Sequence, residues 1–320
     1  MLVVVWAQPA YSKDILLNIN EFTLIKKYLS DIGTSYASHI STNVGDDCAV
    51  YSCSSSKQLI TTDIAVAGVH FSKSLPSEFI ARRAVAAAFS DIAAMGGSIT
   101  GFTLGLSLEK INADWLAGLR KGLKFVAKQY QVPLIGGDVV KGSTQLAITV
   151  IGRAAQKPIL RSGAKTGDII CLSGKLGRSY LGFRAYQKDK QLNAITKGYL
   201  SPEAKVNYGQ CCAKYVSSMM DVSDGILQDP SHLMGASKVG ANVDFESIPF
   251  ASDKDIPKII GFGDDYELLY TVGPNKIKSL RASLAKNNMD LWEIGVVDGK
   301  KIKIDNLPKR IRSLGWDHFA

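Results

Sequence analysis

The sequence predicts a two-domain α/β protein of the α+β kind, and three observations carry that prediction. Strand-like apolar runs alternate with helical stripes along most of the chain. The composition resets after Ala154-Ala155-Gln156-Lys157-Pro158, where a second α/β unit opens with Arg161-Ser162-Gly163-Ala164. At 320 residues, 46% hydrophobic and 21% charged, the chain is ordinary soluble material, long enough for two cores. The expected division is an extension of unassigned role over 1–19, a first domain over 20–155 and a second over 156–320.

Each element follows from local pattern. After Asn20, apolar residues at helical spacing over 20–29 predict a short amphipathic helix. The run 58–66 reads as a strand carrying Thr61, Thr62 and Asp63, followed by Gly68-Val69-His70-Phe71. Ser77 is expected to cap a helix that passes Ile80, Ala84, Ala87, Ala88 and Met95 on one face and stops at Gly96-Gly97. The run 99–108 alternates as a half-buried strand, and Asn112 caps a helix with Trp115, Leu116, Leu119, Leu123, Val126 and Tyr130 on one stripe. A strand over 132–135 is expected to end at Gly136-Gly137-Asp138, and 145–152 closes the first domain. In the second unit, strands are expected at 169–172, at 218–221 ending on Asp221, at 266–272 and at 291–297, with Ser223-Asp224-Gly225 at a helix start.

Composition excludes several classes. The net charge of +9 is dispersed, with no run of five or six basic residues, so neither nucleic acid nor a membrane surface is the expected partner. Five cysteines without a Cys-x-x-Cys argue against a disulfide framework or a zinc knuckle and for a reducing cytoplasm. The apolar burst at the start, Met1 to Ala7, is shorter than a signal-peptide core and far too short to span a bilayer.

The acids are placed rather than abundant. Asp46 and Asp47 sit side by side on a glycine turn between apolar residues, and single or paired aspartates recur at Asp63, Asp91, Asp138, Asp221, Asp224, Asp264 and Asp265. Adjacent carboxylates at the mouth of a core call for a cation, and oxygen-only ligands suit a hard divalent ion such as Mg²⁺, which commonly keeps phosphates as its other ligands. Asp91 falls on the small-residue face of its helix, where an unpaired charge costs several kcal/mol on the order of the usual burial penalty. Metal or a salt bridge to Arg82, Arg83 or Lys110 would relieve it. His70 beside Phe71 reads by itself as structural packing. No Gly-x-x-x-x-Gly-Lys-Ser/Thr, no kinase catalytic loop and no His-Glu-x-x-His occurs, which excludes a P-loop, a protein-kinase fold and a zincin.

Taken in order, Gly45-Asp46-Asp47, Thr61-Thr62-Asp63, Gly68-Val69-His70-Phe71, Ser90-Asp91-Ile92-Ala93-Ala94-Met95-Gly96, Gly136-Gly137-Asp138, Arg161-Ser162-Gly163-Ala164, Asp221-Val222-Ser223-Asp224-Gly225 and Asp265-Tyr266-Glu267-Leu268 resemble the thiamine-monophosphate kinase family over about residues 20–320. That family belongs with aminoimidazole-ribonucleotide synthetase and selenophosphate synthetase. The resemblance implies a two-domain aminoimidazole-ribonucleotide synthetase-like fold, with an N-terminal mixed-sheet domain that binds ATP and metal and dimerises, followed by a C-terminal α/β domain. It also implies transfer of the γ-phosphoryl group of ATP to thiamine monophosphate with several Mg²⁺ ions. By position, Asp47, Thr61, Thr62, Asp63, Asp91, Asp138, Asp221 and Asp224 would hold metal, directly or through water. Gly137, Asp138, Arg161 and Ser223 would contact ATP, and His70, Asp264 and Trp316 the thiamine monophosphate. Two rival readings are another ATP-dependent enzyme of the superfamily with a different acceptor, and a non-catalytic Mg-nucleotide-binding protein.

The chain departs from the family pattern at three places. Gly263-Asp264-Asp265-Tyr266 stands where Gly-Glu-Asp-Tyr is usual, Leu176-Gly177-Arg178-Ser179 where Leu-Gly-Asp-Ser is usual, and Ser201-Pro202-Glu203-Ala204-Lys205 where Arg-Pro-x-Pro-Arg is usual. Trp316, in a tail after the last strand, is expected either to anchor the core or to stack on the cationic thiamine ring system.

Overall fold

The computed structural model describes residues 25–36, 40–42, 50–51, 57–154, 157–308 and 311. The 1–19 extension, Asp46, Asp47 and Trp316 lie outside the described residues, so the readings made for them are not addressed by the structure. Of the helix expected over 20–29, only the π-type turn Ile25–Leu29 falls inside, with Tyr28 and Leu29 buried.

The first unit contains the strand pair β1 (Ile40–Thr42) and β2 (Val50–Tyr51), then β3 (Lys57–Val66), helix α1 (Ser77–Ala94), β4 (Ser98–Leu108), helix α2 (Ala113–Tyr130), β5 (Leu134–Lys141) and β6 (Gln145–Ala154). Its main sheet is four-stranded, in the order β3-β6-β4-β5, antiparallel except for the parallel β4–β5 pair. Strand alternation sends Phe102, Leu104, Leu106, Leu146, Ile148 and Val150 to one face, where α1 and α2 cover them.

α1 is buried almost all round because three partners surround it. The sheet and α2 take two sides and the second unit takes the third, so its alanines permit close approach where larger side chains would hold the layers apart. The expected Ser77 cap is corrected: Pro76 occupies the cap position, and Ser77, one residue inside, donates its hydroxyl to the Trp115 carbonyl at 2.5 Å. The stop at Gly96-Gly97 is as expected, Gly96 taking φ +66° just beyond Met95. Asn112 caps α2 as expected, accepting from the Trp115 N–H at 3.0 Å.

The second unit runs β7 (Ile169–Leu172), α3 (Arg178–Asp189), α4 (Lys197–Leu200), α5 (Val206–Cys212), β8 (Val216–Val222), α6 (Asp229–Ser237), β9 (Ala241–Asp244), α7 (Ile256–Ile260), β10 (Glu267–Val272), α8 (Ile277–Ala285), β11 (Trp292–Val297) and β12 (Ile302–Asp305). Six of these strands form one sheet, β12-β9-β11-β7-β10-β8, antiparallel apart from the β12–β9 edge. The strand expected last, near 291–297, is followed by β12, whose intermediate-exposed alternation over four residues is a weak signal.

The units meet along α1. Gly209 of α5 lies so close that a Cβ there would stand 2.0 Å from the Ala93 carbonyl oxygen, while Gln210 donates to the Gly97 carbonyl at 3.1 Å and Ile159 donates its N–H to the Met95 carbonyl at 3.1 Å. This backbone-on-backbone seam has no slack. Gly209→Ala is therefore expected to lower unfolding stability by about 1–3 kcal/mol, the usual range for overpacking, as measured by urea denaturation of the full chain.

Candidate active site

The seam gathers acids from both units. Thr61 and Asp63 are two residues apart on β3 and so share the face that looks toward α1, as their sheet partners Val150 and Ile148 do. Thr61 donates its hydroxyl to Asp91 Oδ2 of α1 at 2.6 Å. Asp221, on β8 of the second unit, is buried, and burial followed by the nearby Asp91 charge pushes its carboxyl up to about 7. Burial and then Asp91 also raise Asp63, and burial raises Asp91 itself. Asp91 thus disfavours the ionisation of the other two in a partly dehydrated place. Arg161 acts in the opposite sense on Asp91 and Asp221, which places its guanidinium within electrostatic reach of both.

The expected alternative for Asp91, a salt bridge to Arg82, Arg83 or Lys110, does not form among the described residues. Arg82 pairs with Glu78 and packs over the Phe125 ring, and Arg83 pairs with Asp264.

Ser223 and Asp224 follow β8 in a loop, and the helix expected to start there begins only at Asp229. Gly225 at φ +130° cannot open a helix. Instead, Asp229 accepts the Gly225 N–H at 3.1 Å and clasps the loop. Asp229 is fully buried, its other oxygen is without a hydrogen-bond partner, and burial pushes its carboxyl up to about 8. Asp229 is not among the residues singled out from the sequence; its spacing of four residues from Gly225 is the available signal.

A small cavity of about 50 Å³ adjoins the cluster, lined in part by Asp63, His70, Arg83, Asp264 and Tyr266. Two of the expected acceptor-binding residues, His70 and Asp264, are thereby brought together beside an expected metal ligand. His70 Nδ1 accepts the Val66 N–H at 3.0 Å, so the ring is locally fastened and also faces the cavity. Asp264 accepts from Arg83 at 2.6 Å and from the Tyr266 hydroxyl at 2.8 Å. Asp265, its neighbour, turns away to cap α3, accepting from the N–H groups of Gly177 at 2.6 Å and Ser179 at 3.2 Å.

Thr62, Gly137 and Asp138 are elsewhere. The strand expected to end at Gly136 continues through both glycines to Lys141, because Gly137, at φ +151°, lets β5 approach β4 where a Cβ would meet the Leu104 carbonyl oxygen at 2.0 Å. Asp138 pairs in register with Gly105, which pairs with Ala147 and hence Ile64, and Thr62 stands opposite Thr149 with hydroxyls 2.9 Å apart. Both therefore belong to the sheet face opposite α1. Asp138 is exposed, and its carboxylate accepts the Val139 N–H at 2.9 Å.

A larger cleft of about 740 Å³ on the seam, lined by Tyr130, Ser173, Arg178, Lys205 and Glu267 among others, holds none of the expected site residues. Both of the basic departures from the family pattern, Arg178 and Lys205, line this cleft and not the acidic cluster. Lys205 pairs there with buried Glu267 at 3.2 Å.

Among the described residues no three His, Cys, Asp or Glu side chains converge tightly enough to hold a metal ion by themselves. The donor chemistry nevertheless fits a hard cation: Asp63, Asp91 and Asp221 are oxygen ligands whose carboxyls are raised by burial, and the Asp91 charge raises the other two further.

The two halves match the models for AIR synthase related proteins, the N-terminal domain over residues 45–154 and the C-terminal domain over 165–305. That defines the class as the AIR synthase related proteins. A thiamine-monophosphate kinase of Haemophilus influenzae is 32% identical, the match covering 94% of this chain and 98% of that one. The crystal structure of a thiamine-monophosphate kinase from Stenotrophomonas maltophilia superposes with a TM-score of 0.78 at 29% identity, covering 85% of this chain and 93% of the other. AaThiL complexed with AMPPCP and TMP superposes with a TM-score of 0.73 at 27% identity, covering 97% of this chain and all of that one, 100%. The chain belongs to the thiamine-monophosphate kinase family. No helix among the described residues is long and apolar enough to cross a membrane.

The Asp221 shift has a consequence for stability. Its folded pKa of about 7 lies above the unfolded carboxylate value of about 3.9, so the folded chain holds a proton that the unfolded chain releases. The stability this contributes is complete below about pH 4 and is lost as pH rises through about 7. In metal-free buffer Asp221→Asn is expected to raise the melting temperature at pH 8 and to flatten its fall between pH 5 and 8, whereas an unchanged pH profile would mean that Asp221 is already compensated within the chain.

Proposed function

We propose that this protein is an ATP-dependent thiamine-monophosphate kinase, transferring the γ-phosphoryl group of ATP to the phosphate of thiamine monophosphate to give ADP and thiamine diphosphate. The observation that carries the reading is the adjacency of the unpaired Asp63–Asp91–Asp221 cluster to the cavity shared by His70 and Asp264. The relatives' names and the bound AMPPCP and TMP of one of them support it.

The acceptor is itself a phosphate monoester with a second pKa of about 6, so near neutral pH it is largely a dianion and needs no general base. The difficulty lies in bringing anions together. Mg²⁺ held by Asp63, Asp91 and Asp221, with Asp47, Asp224 and Thr61 as further ligands directly or through water, would supply neutralisation of the phosphate charges, and Thr62 and Asp138, on the other face of the sheet, are assigned to a separate metal position. Arg161, Ser223 and Gly137 are assigned to ATP, and His70, Asp264 and Trp316 to thiamine monophosphate. Their work is in-line positioning, with no covalent enzyme intermediate.

The working form is read as a homodimer. The sheet face opposite α1 and α2 exposes Ile60 at 72%, Ile64 at 47% and Val140 at 52%, with Thr62 and Asp138 on the same face. β3 and β5 are opposite edges of that sheet, three strand spacings or about 14 Å apart, too far for Thr62 and Asp138 of one chain to share an ion. A second copy laid face to face covers the apolar patch and can set the β5 edge of one chain beside the β3 edge of the other. Ile60→Lys is then expected to shift the protein to monomer in sedimentation and to lower activity; a monomeric unmodified chain at micromolar concentration would refute the dimer.

Thiamine diphosphate formation by the purified chain with ATP and Mg²⁺ tests the activity. ADP release that ignores thiamine monophosphate would favour a different acceptor, and no transfer at all would favour a nucleotide-binding protein. Asp91→Asn, which preserves volume on the packed helix face, is expected to keep the melting temperature within a few degrees and to reduce transfer by at least about a hundredfold, a loss of roughly 2.7 kcal/mol in barrier terms. Near-normal turnover at saturating Mg²⁺ would remove Asp91 from the metal set.

A further inference from the structure

Arg83 is charged, buried at 7% exposure, and has no part in the phosphate chemistry described above. It projects from α1, two turns before Asp91, across the seam to the second unit. One nitrogen donates to the Tyr199 carbonyl at 2.7 Å and another to Asp264 Oδ2 at 2.6 Å, and the guanidinium lies 4.0 Å from the centre of the Tyr199 ring. Buried charge of this kind is tolerated when it is paired and hydrogen-bonded, and the planar fork of arginine suits two such partners better than a lysine would.

What Arg83 holds is a contorted segment. Gly263, Asp264 and Tyr266 take φ of +69°, +62° and +52°, a left-handed region that is uncommon for aspartate and rare for tyrosine. The segment is pinned by the Asp264 N–H on the Ser223 carbonyl at 2.9 Å, the Tyr266 N–H on the Val222 carbonyl at 3.0 Å and the Tyr266 hydroxyl on Asp264 Oδ1 at 2.8 Å. Asp264 is also one methylene shorter than the glutamate usual in the family, so its carboxylate reaches less far on its own. Each of its oxygens accepts one bond and keeps a second lone pair for a donor arriving in the cavity.

We propose that Arg83 is the positioning residue for acceptor recognition: it draws the short Asp264 side chain toward the His70 cavity and thereby sets affinity for the cationic, amine-bearing acceptor, an inference that rests on the thiamine-monophosphate reading. Arg83 does not itself contact the transferred phosphate. Its loss leaves the Asp264 carboxylate held by the Tyr266 hydroxyl alone, while the backbone links from Asp264 and Tyr266 to β8 and its loop, and so the nucleotide side, stay in place.

The test is steady-state kinetics of the full chain with each substrate varied. Arg83→Met is expected to raise KM for thiamine monophosphate by about tenfold or more, with KM for ATP within about twofold; Arg83→Lys should recover part of the loss. Adding Asp264→Asn to Arg83→Met should worsen KM by no more than about twofold, because the two act as one unit. If Arg83→Met does not fold, Arg83→Lys and Asp264→Asn carry the comparison, both expected to raise the acceptor KM selectively. A KM for thiamine monophosphate within twofold of the unmodified chain, additive losses, or equal losses for both substrates with a lowered melting temperature would overturn the proposal. Failure of the unmodified chain to use thiamine monophosphate would overturn the functional reading and this inference with it, whereas normal turnover with an insensitive Arg83 overturns this inference alone.

Discussion

The burial of Asp63, Asp91 and Asp221 at the seam, with the Asp91 charge opposing ionisation of the other two, is the constraint on which the site depends. Each carboxylate is supplied by a different element, β3, α1 and β8, and each is raised by burial before any neighbour is counted. A fold that brings such groups together without pairing them gives up stability at neutral pH, where they ionise. Arg161 offsets part of the penalty from a loop, and on the proposed function the rest is what a bound cation would relieve.

α1 carries both ends of this arrangement. Asp91 on one turn addresses the acidic cluster and Arg83, eight residues earlier, addresses the acceptor cavity, a separation of about 12 Å along the helix axis. Because α1 is packed against the sheet, α2 and α5, these two side chains are held at a nearly fixed spacing. The distance between the acidic cluster and the His70 cavity, to which the proposed function assigns phosphate chemistry and acceptor recognition, is thus set by a rigid element.

Much of this was legible in the sequence, for definable reasons. The strands β3, β4, β6, β7, β10 and β11 were marked by alternation or apolar runs, and α2 by its Asn112 cap and apolar stripe. The ordered aspartates disclosed the cluster because acids on apolar faces are expensive to maintain without a use. Arg83 was not legible as a site residue, since a basic residue on a helix reads as a solvated charge or a local salt bridge until the opposite domain is in place. Asp229 and Tyr266 act through contacts whose partners are set by left-handed and loop backbone, which leaves no period in the sequence. The continuation of β5 through Gly136-Gly137 was hidden for a different reason: paired glycines signal a turn, and only the adjacent β4 carbonyl explains their presence inside a strand.

The contact of Gly209 with the Ala93 carbonyl bears on how this architecture diversifies. Where two halves meet through side chains, interfaces drift, one substitution being absorbed by another across the gap. At Gly209 main chain rests on main chain, beside side-chain links such as Arg83 with Asp264 and Gln210 with the Gly97 carbonyl, and a larger residue at 209 has no room. A side chain at 209 would push the halves apart, whereas a change in the loop 261–266 leaves this contact untouched. On the proposed function, acceptor preference could then change in that loop without altering how the halves are held together.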